Sequence, residues 1–185
     1  VASIEDEDLE ALPATIERFP PRKILWAGAP AGTRAARTLQ RAIAAEGIPL
    51  IQAEAGQTLE LGGDARLEVL AAGKRGAVLR LVYGSFRALL PLGVDTQALE
   101  SLSPEPVSAL LLAEGGYAPL NPPEWLQTLQ PQVVLLSVQT GDYRGRPDPE
   151  TLQALEGYSL LRTDQNGWIQ LSTDGERLWV EVEKR

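Results

Sequence analysis

Strand-like and helix-like stretches alternate along this chain, and that alternation predicts a layered α/β (α+β) fold. Two further observations support it. The middle of the chain holds short β-rich runs around a two-residue Gly84-Ser85 link, the mark of an antiparallel hairpin. That β-rich middle then gives way to βα units. With 185 residues, 44% of them hydrophobic, the chain can bury one sizeable core. Its 17 Gly and 14 Pro fall between elements rather than in a linker, so residues 1–185 read as a single domain.

The elements follow in order. Leu9, Leu12 and Ile16 share one face of a helix over residues 8–18. Lys23–Ala27 is a short apolar run expected to be a buried strand, and Gly28–Gly32 a loop. Thr33 is placed to cap a helix over 34–46, which Gly47 ends. Short strands are expected at Leu50–Ala53, Thr58–Leu61 and Arg66–Leu70, and the hairpin at Val78–Tyr83 and Phe86–Leu90. A short helix over 95–101 precedes a strand at Val107–Leu112. Asn121-Pro122 is a cap-and-first-turn signature for a helix through 129, and Asp148-Pro149-Glu150 repeats it for a helix ending near Gly157. Between them Gln132–Val138 reads as a strand. Ser159–Arg162, Trp168–Ser172 and Arg177–Val182 close the chain as strands, the last two joined through Asp174-Gly175.

Three residue types are missing altogether: His, Cys and Met. Without Cys there is no disulfide, no thiolate nucleophile and no Cys/His zinc site. Without His there is no imidazole base and no Ser–His–Asp triad. A metal would need carboxylate, carbonyl, amide or hydroxyl oxygens, which suit Mg, Ca or Mn. A chain that opens on Val1 and contains no Met is expected to be a piece of a longer protein. No run reaches the 18 apolar residues of a membrane span, so a soluble domain is expected. A formal charge of −8 argues against broad electrostatic binding to nucleic acid or anionic lipid.

Several features can carry chemistry, each with a structural alternative. Ser3, Glu5, Asp6, Glu7 and Asp8 offer oxygen ligands to a cation, or simply a solvated first helical turn. The loop Gly28–Thr33 precedes a helix but lacks the P-loop Lys-Ser/Thr and the G-x-G-x-x-G pattern, so it reads as a plain turn. Asp95, after Gly93-Val94 at a strand end, is either a site acid or a helix cap. Glu114 leads the turn Glu114-Gly115-Gly116. Arg144-Gly145-Arg146-Pro147 is an anion-site candidate or a solvated loop. Arg34, Arg37 and Arg41 put three positive charges on one helix face, a patch for an acidic partner or a solvated surface.

The order of these signals is more informative than any one of them. The acidic opening leads into Leu12-Pro13-x-x-Ile16-x-Arg18-Phe19-Pro20, and the hairpin ends in Leu89-Leu90-x-Leu92-Gly93. Gly116 is followed by Pro123-Glu124-Trp125-Leu126, then Pro131-x-Val133-x-x-Leu136-Ser137-Val138 and Gly145-x-Pro147. Leu161-Arg162-Thr163-Asp164-x-x-Gly167-x-Ile169 completes the run. This order resembles the C-terminal metallo-β-lactamase-fold domain of ComEC-type competence proteins, the DNA-uptake channel family. The stretch from Ser137 to Ile169 is its most specific part. The resemblance implies an αββα sandwich, here partial, with the family's opening strands missing.

It also implies a two-metal centre and phosphodiester hydrolysis. Carried over, the family's His-x-His-x-Asp-His motif falls on Ser3, Glu5, Glu7 and Asp8. Its bridging Asp falls on Val94, with Asp95 one residue late. Its His-His-Gly-Ser motif falls on Glu114, Gly115, Gly116 and Tyr117, and its Gly-His-Pro motif on Gly145, Arg146 and Pro147. Glycines and prolines match while the ligand positions do not. The expectation is therefore a vestigial pocket of Ser3, Glu5, Glu7, Asp8, Val94, Asp95, Glu114, Gly115 and Arg146, without catalytic residue, metal or other cofactor. In it Arg146 is expected to pair with Glu5, Asp8 or Glu114. The implied protein is a non-catalytic structural or interaction module of a competence protein, attached to a membrane-embedded parent and extracytoplasmic. A homodimer through an exposed sheet edge is a second expected contact. Two alternatives stay open: a Mg- or Mn-dependent phosphodiesterase or nuclease using Glu5, Glu7, Asp8, Asp95 and Glu114, and a non-catalytic DNA-binding module.

Overall fold

The computed structural model describes residues 1, 6–28, 32–93, 99, 102–103 and 105–184, with the side chains of Glu7 and Asp8 left aside. The expected first helix is two: α1, Asp6–Leu9, and α2, Leu12–Arg18. Pro13 sits in the first turn of α2, where its missing N–H costs nothing, and there it starts a new helix rather than continuing the old one. Strand β1 is Ile24–Trp26, and helix α3 is Arg34–Ala45. The Thr33 hydroxyl caps α3 by accepting the Ala36 N–H at 3.2 Å. Strands β2, Leu50–Gln52, and β3, Thr58–Gly62, follow. Strands β4, Ala65–Ala72, β5, Ala77–Tyr83, and β6, Phe86–Leu92, form the antiparallel half of the main sheet. Gly84 takes φ 57° in the β5–β6 turn, and Tyr83 pairs with Phe86, as a two-residue hairpin requires.

The helix expected over 95–101 falls outside the described residues, apart from Leu99, which is buried. Strand β7 is Ala109–Leu111, shorter than its apolar run, and β8 is Val133–Leu136. Helices α4, Pro123–Leu129, and α5, Pro149–Ala154, precede β8 and β9, Leu160–Arg162, respectively. Both begin beside their Pro, but neither Asn121 nor Asp148 caps its helix with its side chain. Asn121 instead accepts the Ala113 N–H at 2.9 Å and donates to the Tyr117 carbonyl at 2.7 Å. A short helix without a periodic signal, α6, Thr163–Asn166, leads to the hairpin β10, Ile169–Thr173, and β11, Leu178–Val182. The hairpin turns where Asp174 accepts the N–H groups of Glu176 and Arg177.

One seven-stranded mixed sheet organises the molecule, in the order β3-β4-β5-β6-β7-β8-β9. It is antiparallel from β3 to β6 and parallel from β6 to β9. Alternation along each strand sends side chains to both faces. On one face Val78, Leu89, Leu110 and Val134 pack beneath Leu126 and Leu129 of α4 and beneath Leu155. On the other, Val69 and Leu79 meet Ala27 and Ala53 at the ends of the parallel β1–β2 ladder. Phe86, Ala88 and Val133 on that same face meet Leu171 and Leu178 of the β10–β11 hairpin. Trp26 and Ile24 are covered in turn by Ile16, Leu39 and Ile43 of α2 and α3. The layers therefore run helix, sheet, sheet, helix. Among the described residues the second sheet layer consists of two short ladders rather than one continuous sheet. No described helix is long and apolar enough to cross a membrane.

Candidate functional site

The parallel strands β6, β7 and β8 all end on one side of the sheet. The carboxyl ends of parallel strands are where ligands commonly bind in α/β sheets, and these open into a crevice. Here that crevice is a cleft of about 540 Å³, walled by Gly93 after β6, Glu114 and Gly115 after β7, Ser137–Gln139 after β8, and Thr163 after β9. Asp142, Arg144 and Arg146, from the loop that follows β8, complete it.

Glu114 is held into the cleft by an unusual backbone. Its φ of 48° and ψ of 45° are left-handed, a conformation that costs a non-glycine residue on the order of 1 kcal/mol. Gly115 and Gly116 continue the turn at φ 62° and 85°. The Glu114 carboxylate lies 3.5 Å from Arg75 Nη2 and 3.9 Å from Arg144 Nη1. Asp142 shapes the arginine loop, because its Oδ1 accepts the N–H groups of both Arg144, at 2.9 Å, and Arg146, at 3.2 Å.

Arg146 lies 4.0 Å from the Tyr117 ring centroid, a cation–π contact, and its guanidinium is ion-paired with Asp148. The Asp148 carboxylate also accepts the Ala118 N–H at 2.9 Å. That backbone hydrogen bond, with the Arg146 guanidinium, holds the Asp148 carboxyl below the usual range and outweighs the desolvation that raises it. A depressed folded pKa contributes stability above the unfolded value of about 4 and loses it as pH falls through the folded one. Asp148→Asn is therefore expected to be less stable than wild type by a constant margin above about pH 5, a margin that shrinks below about pH 4. Urea denaturation across that pH range measures it.

Three expected site residues thus meet: Glu114, Gly115 and Arg146, where a Cβ added to Gly115 would lie 3.6 Å from Arg146 Cβ. The ion pairs differ from expectation. Arg146 pairs with Asp148, two residues on in the same loop, rather than with Glu114. Glu114 is taken by Arg75 and Arg144 instead. Ser3, Glu5, Val94 and Asp95 lie outside the described residues, and of Glu7 and Asp8 only the backbone, in α1, is described. The sequence does not mark Arg75 or the ion-pairing of Asp148: Arg75 stands 39 residues from Glu114 with no motif around it, and Asp148-Pro149-Glu150 has the pattern of a helix cap.

The fit of this cleft to a two-metal centre can be tested on its donors. Among the described residues, no three carboxylates gather to hold a cation. The cleft's Glu114 faces two guanidinium groups, and an Arg occupies the Gly-x-Pro position. The described donor set does not fit a metal pair.

The cleft is an arginine–carboxylate cluster. No family model and no curated protein matches the sequence. Solved structures similar to the chain include a Parabacteroides distasonis protein described as a candidate metal-dependent hydrolase. It has TM-score 0.48 and 11% identity, covering 77% of this chain and 76% of that one. CmlA, a diiron β-hydroxylase from Streptomyces venezuelae, has TM-score 0.42 and 12% identity over 76% of this chain. A mutant of CmlA has TM-score 0.42 and 14% identity. The chain spans 38% of the length of CmlA.

Proposed function

We propose that this chain is a non-catalytic module of metallo-β-lactamase-like architecture, in which ion pairs occupy the strand-end cleft that a metal centre would need. The observation that carries the reading is the Glu114 carboxylate bracketed by Arg75 and Arg144, beside the Arg146–Asp148 pair. Guanidinium groups repel cations and satisfy the only acid that the β7 turn contributes. The helix–sheet–sheet–helix order and the matched Gly145-x-Pro147 support kinship with the ComEC-type domain. On that resemblance the parent is a membrane-embedded DNA-uptake protein, and this module has a structural or interaction role within it.

The test is hydrolysis of bis(p-nitrophenyl) phosphate and of plasmid DNA with added Mn, Mg or Zn, beside metal content by mass spectrometry. The expected result is no turnover above buffer and less than one metal per chain. Metal-dependent turnover that Asp8→Ala or Glu114→Ala abolishes would overturn the proposal in favour of the carboxylate-only hydrolase.

A further inference from the structure

The net charge of −8 conceals a segregation. Residues 18–45 hold six of the 17 Lys and Arg and none of the 25 Asp and Glu, bracketed by Glu17 and Glu46. The remainder carries 11 cations against 25 acids. All six cations, Arg18, Arg22, Lys23, Arg34, Arg37 and Arg41, are exposed, and none makes an ion pair among the described residues.

Structure concentrates the window further. Helix α3 buries Ala35, Ala36, Leu39 and Ile43 against β1. At about 100° per residue, Arg34, Arg37 and Arg41 fall directly opposite that buried face, over two turns or ~10 Å of helix. They form the outermost ridge of the outer helical layer, where the Arg37 guanidinium donates to the Gly32 carbonyl at 2.6 Å. At the C-terminal end of α3 the character changes. The chain runs through Gly47–Pro49 into β2, and the Ile24 N–H donates to the Pro49 carbonyl at 2.9 Å, so Lys23 and Leu50 are neighbours. Here Leu50 is 49% exposed and Ile51, on the other face of β2, 40%, while Phe19, at the end of α2 and four residues before Lys23 in the chain, is 66% exposed beneath the Arg18 guanidinium.

We infer that the outer ridge of α3, with Phe19, Leu50 and Ile51 at its end, docks this protein on an anionic lipid bilayer. Cations without carboxylate partners reward a phosphate-rich surface, and each is worth roughly fivefold in partitioning near anionic lipid. Exposed Phe, Leu and Ile beside them favour a bilayer over a nucleic-acid backbone, because the headgroup boundary takes up apolar side chains and a phosphate groove does not. Acids more than about 8 Å from the surface do not cancel the attraction, because they are screened at physiological salt. The inference is independent of the cleft.

The test is co-sedimentation with phosphatidylcholine vesicles containing about 30 mol % phosphatidylglycerol, against phosphatidylcholine alone. Binding is expected to the anionic vesicles only, weakening with salt. The triple variant Arg34→Gln/Arg37→Gln/Arg41→Gln is expected to bind about 100-fold more weakly. Phe19→Ser should weaken the part of the binding that salt leaves. Equal binding to neutral vesicles, or an unchanged triple variant, overturns the inference. So does duplex DNA that displaces the vesicles and binds Phe19→Ser as tightly as wild type, since the patch would then serve a nucleic-acid backbone. Should the triple variant melt early, Arg41→Gln alone is the arbiter. A loss of about fivefold supports the inference, and no loss overturns it.

Discussion

Trp26→Ala is expected to destabilise the protein by about 3–5 kcal/mol, a fall of roughly 10 °C in Tm for a domain of this size. Trp26 is 1% exposed, and its indole is the largest fully buried side chain. It lies in the cluster that joins β1 to α2 and α3 through Ile16, Leu39 and Ile43. Removing it opens a cavity that these branched side chains cannot fill without moving the helices. One feature works against the full penalty. Trp26 Nε1 is buried with no hydrogen-bond partner among the described residues, and such an unsatisfied donor costs about 1–3 kcal/mol. Trp26→Phe removes that donor while keeping most of the apolar area, so its loss is expected to stay under ~2 kcal/mol. Thermal and urea denaturation of the two variants side by side measure the difference. Equal losses would mean that the indole N–H is satisfied in solution.

The second large effect is expected at the cleft turn. Gly115 and Gly116 both have positive φ, so Ala at either costs about 1 kcal/mol of backbone strain. They differ in surroundings. A Cβ on Gly115 would sit 3.5 Å from the Ser137 carbonyl oxygen, an ordinary contact. On Gly116 it would lie 2.8 Å from Pro147 Cβ and 3.2 Å from Leu136 Cδ1. Neither neighbour can retreat easily. Pro147 is a rigid ring tied between Arg146 and Asp148, and Leu136 is fully buried. The Gly116 carbonyl also accepts the buried Thr151 hydroxyl at 2.9 Å and the Asp148 N–H at 3.2 Å, so displacing this turn strains the start of α5. Gly116→Ala is expected to cost about 3 kcal/mol or more, and Gly115→Ala about 1. Equal denaturation midpoints for the two variants would show that the turn relaxes around the clash.

These glycines mark a boundary between local and distant causes. The Gly84-Ser85 hairpin, the Thr33 cap, the Asp174-Gly175 turn and the starts of α4 and α5 were all readable in the residues themselves. Each is decided by backbone rules acting over two to four neighbours. Pro13 obeyed the same kind of rule, but the apolar spacing of Leu9, Leu12 and Ile16 concealed it, since both short helices keep one face on α3. The cleft was readable only in part. The Glu114–Gly115 turn and the Arg144–Arg146 loop stood out as residue patterns, whereas Arg75 and the ion pair of Asp148 did not. Asp148 and Asn121 have the chemistry of helix caps, and local rules cannot tell that Ala118 and Ala113 offer better-placed N–H groups.

Composition alone removed imidazole and thiolate chemistry, and hydrophobic periodicity alone indicated alternating strands and helices in a layered α/β domain. Those are properties of residue type and near neighbours. The strand order β6-β7-β8-β9, the gathering of their ends into one cleft, and the partner of each arginine there were decided by the tertiary structure. Spacing alone put Arg34, Arg37 and Arg41 on one helix face, and the tertiary structure decided that this face points outward, a local excess of positive charge that the net charge of −8 hides. Sequence specifies which charges the chain carries. Whether they cancel depends on distance, and at a screening length of about 8 Å only folding sets that distance.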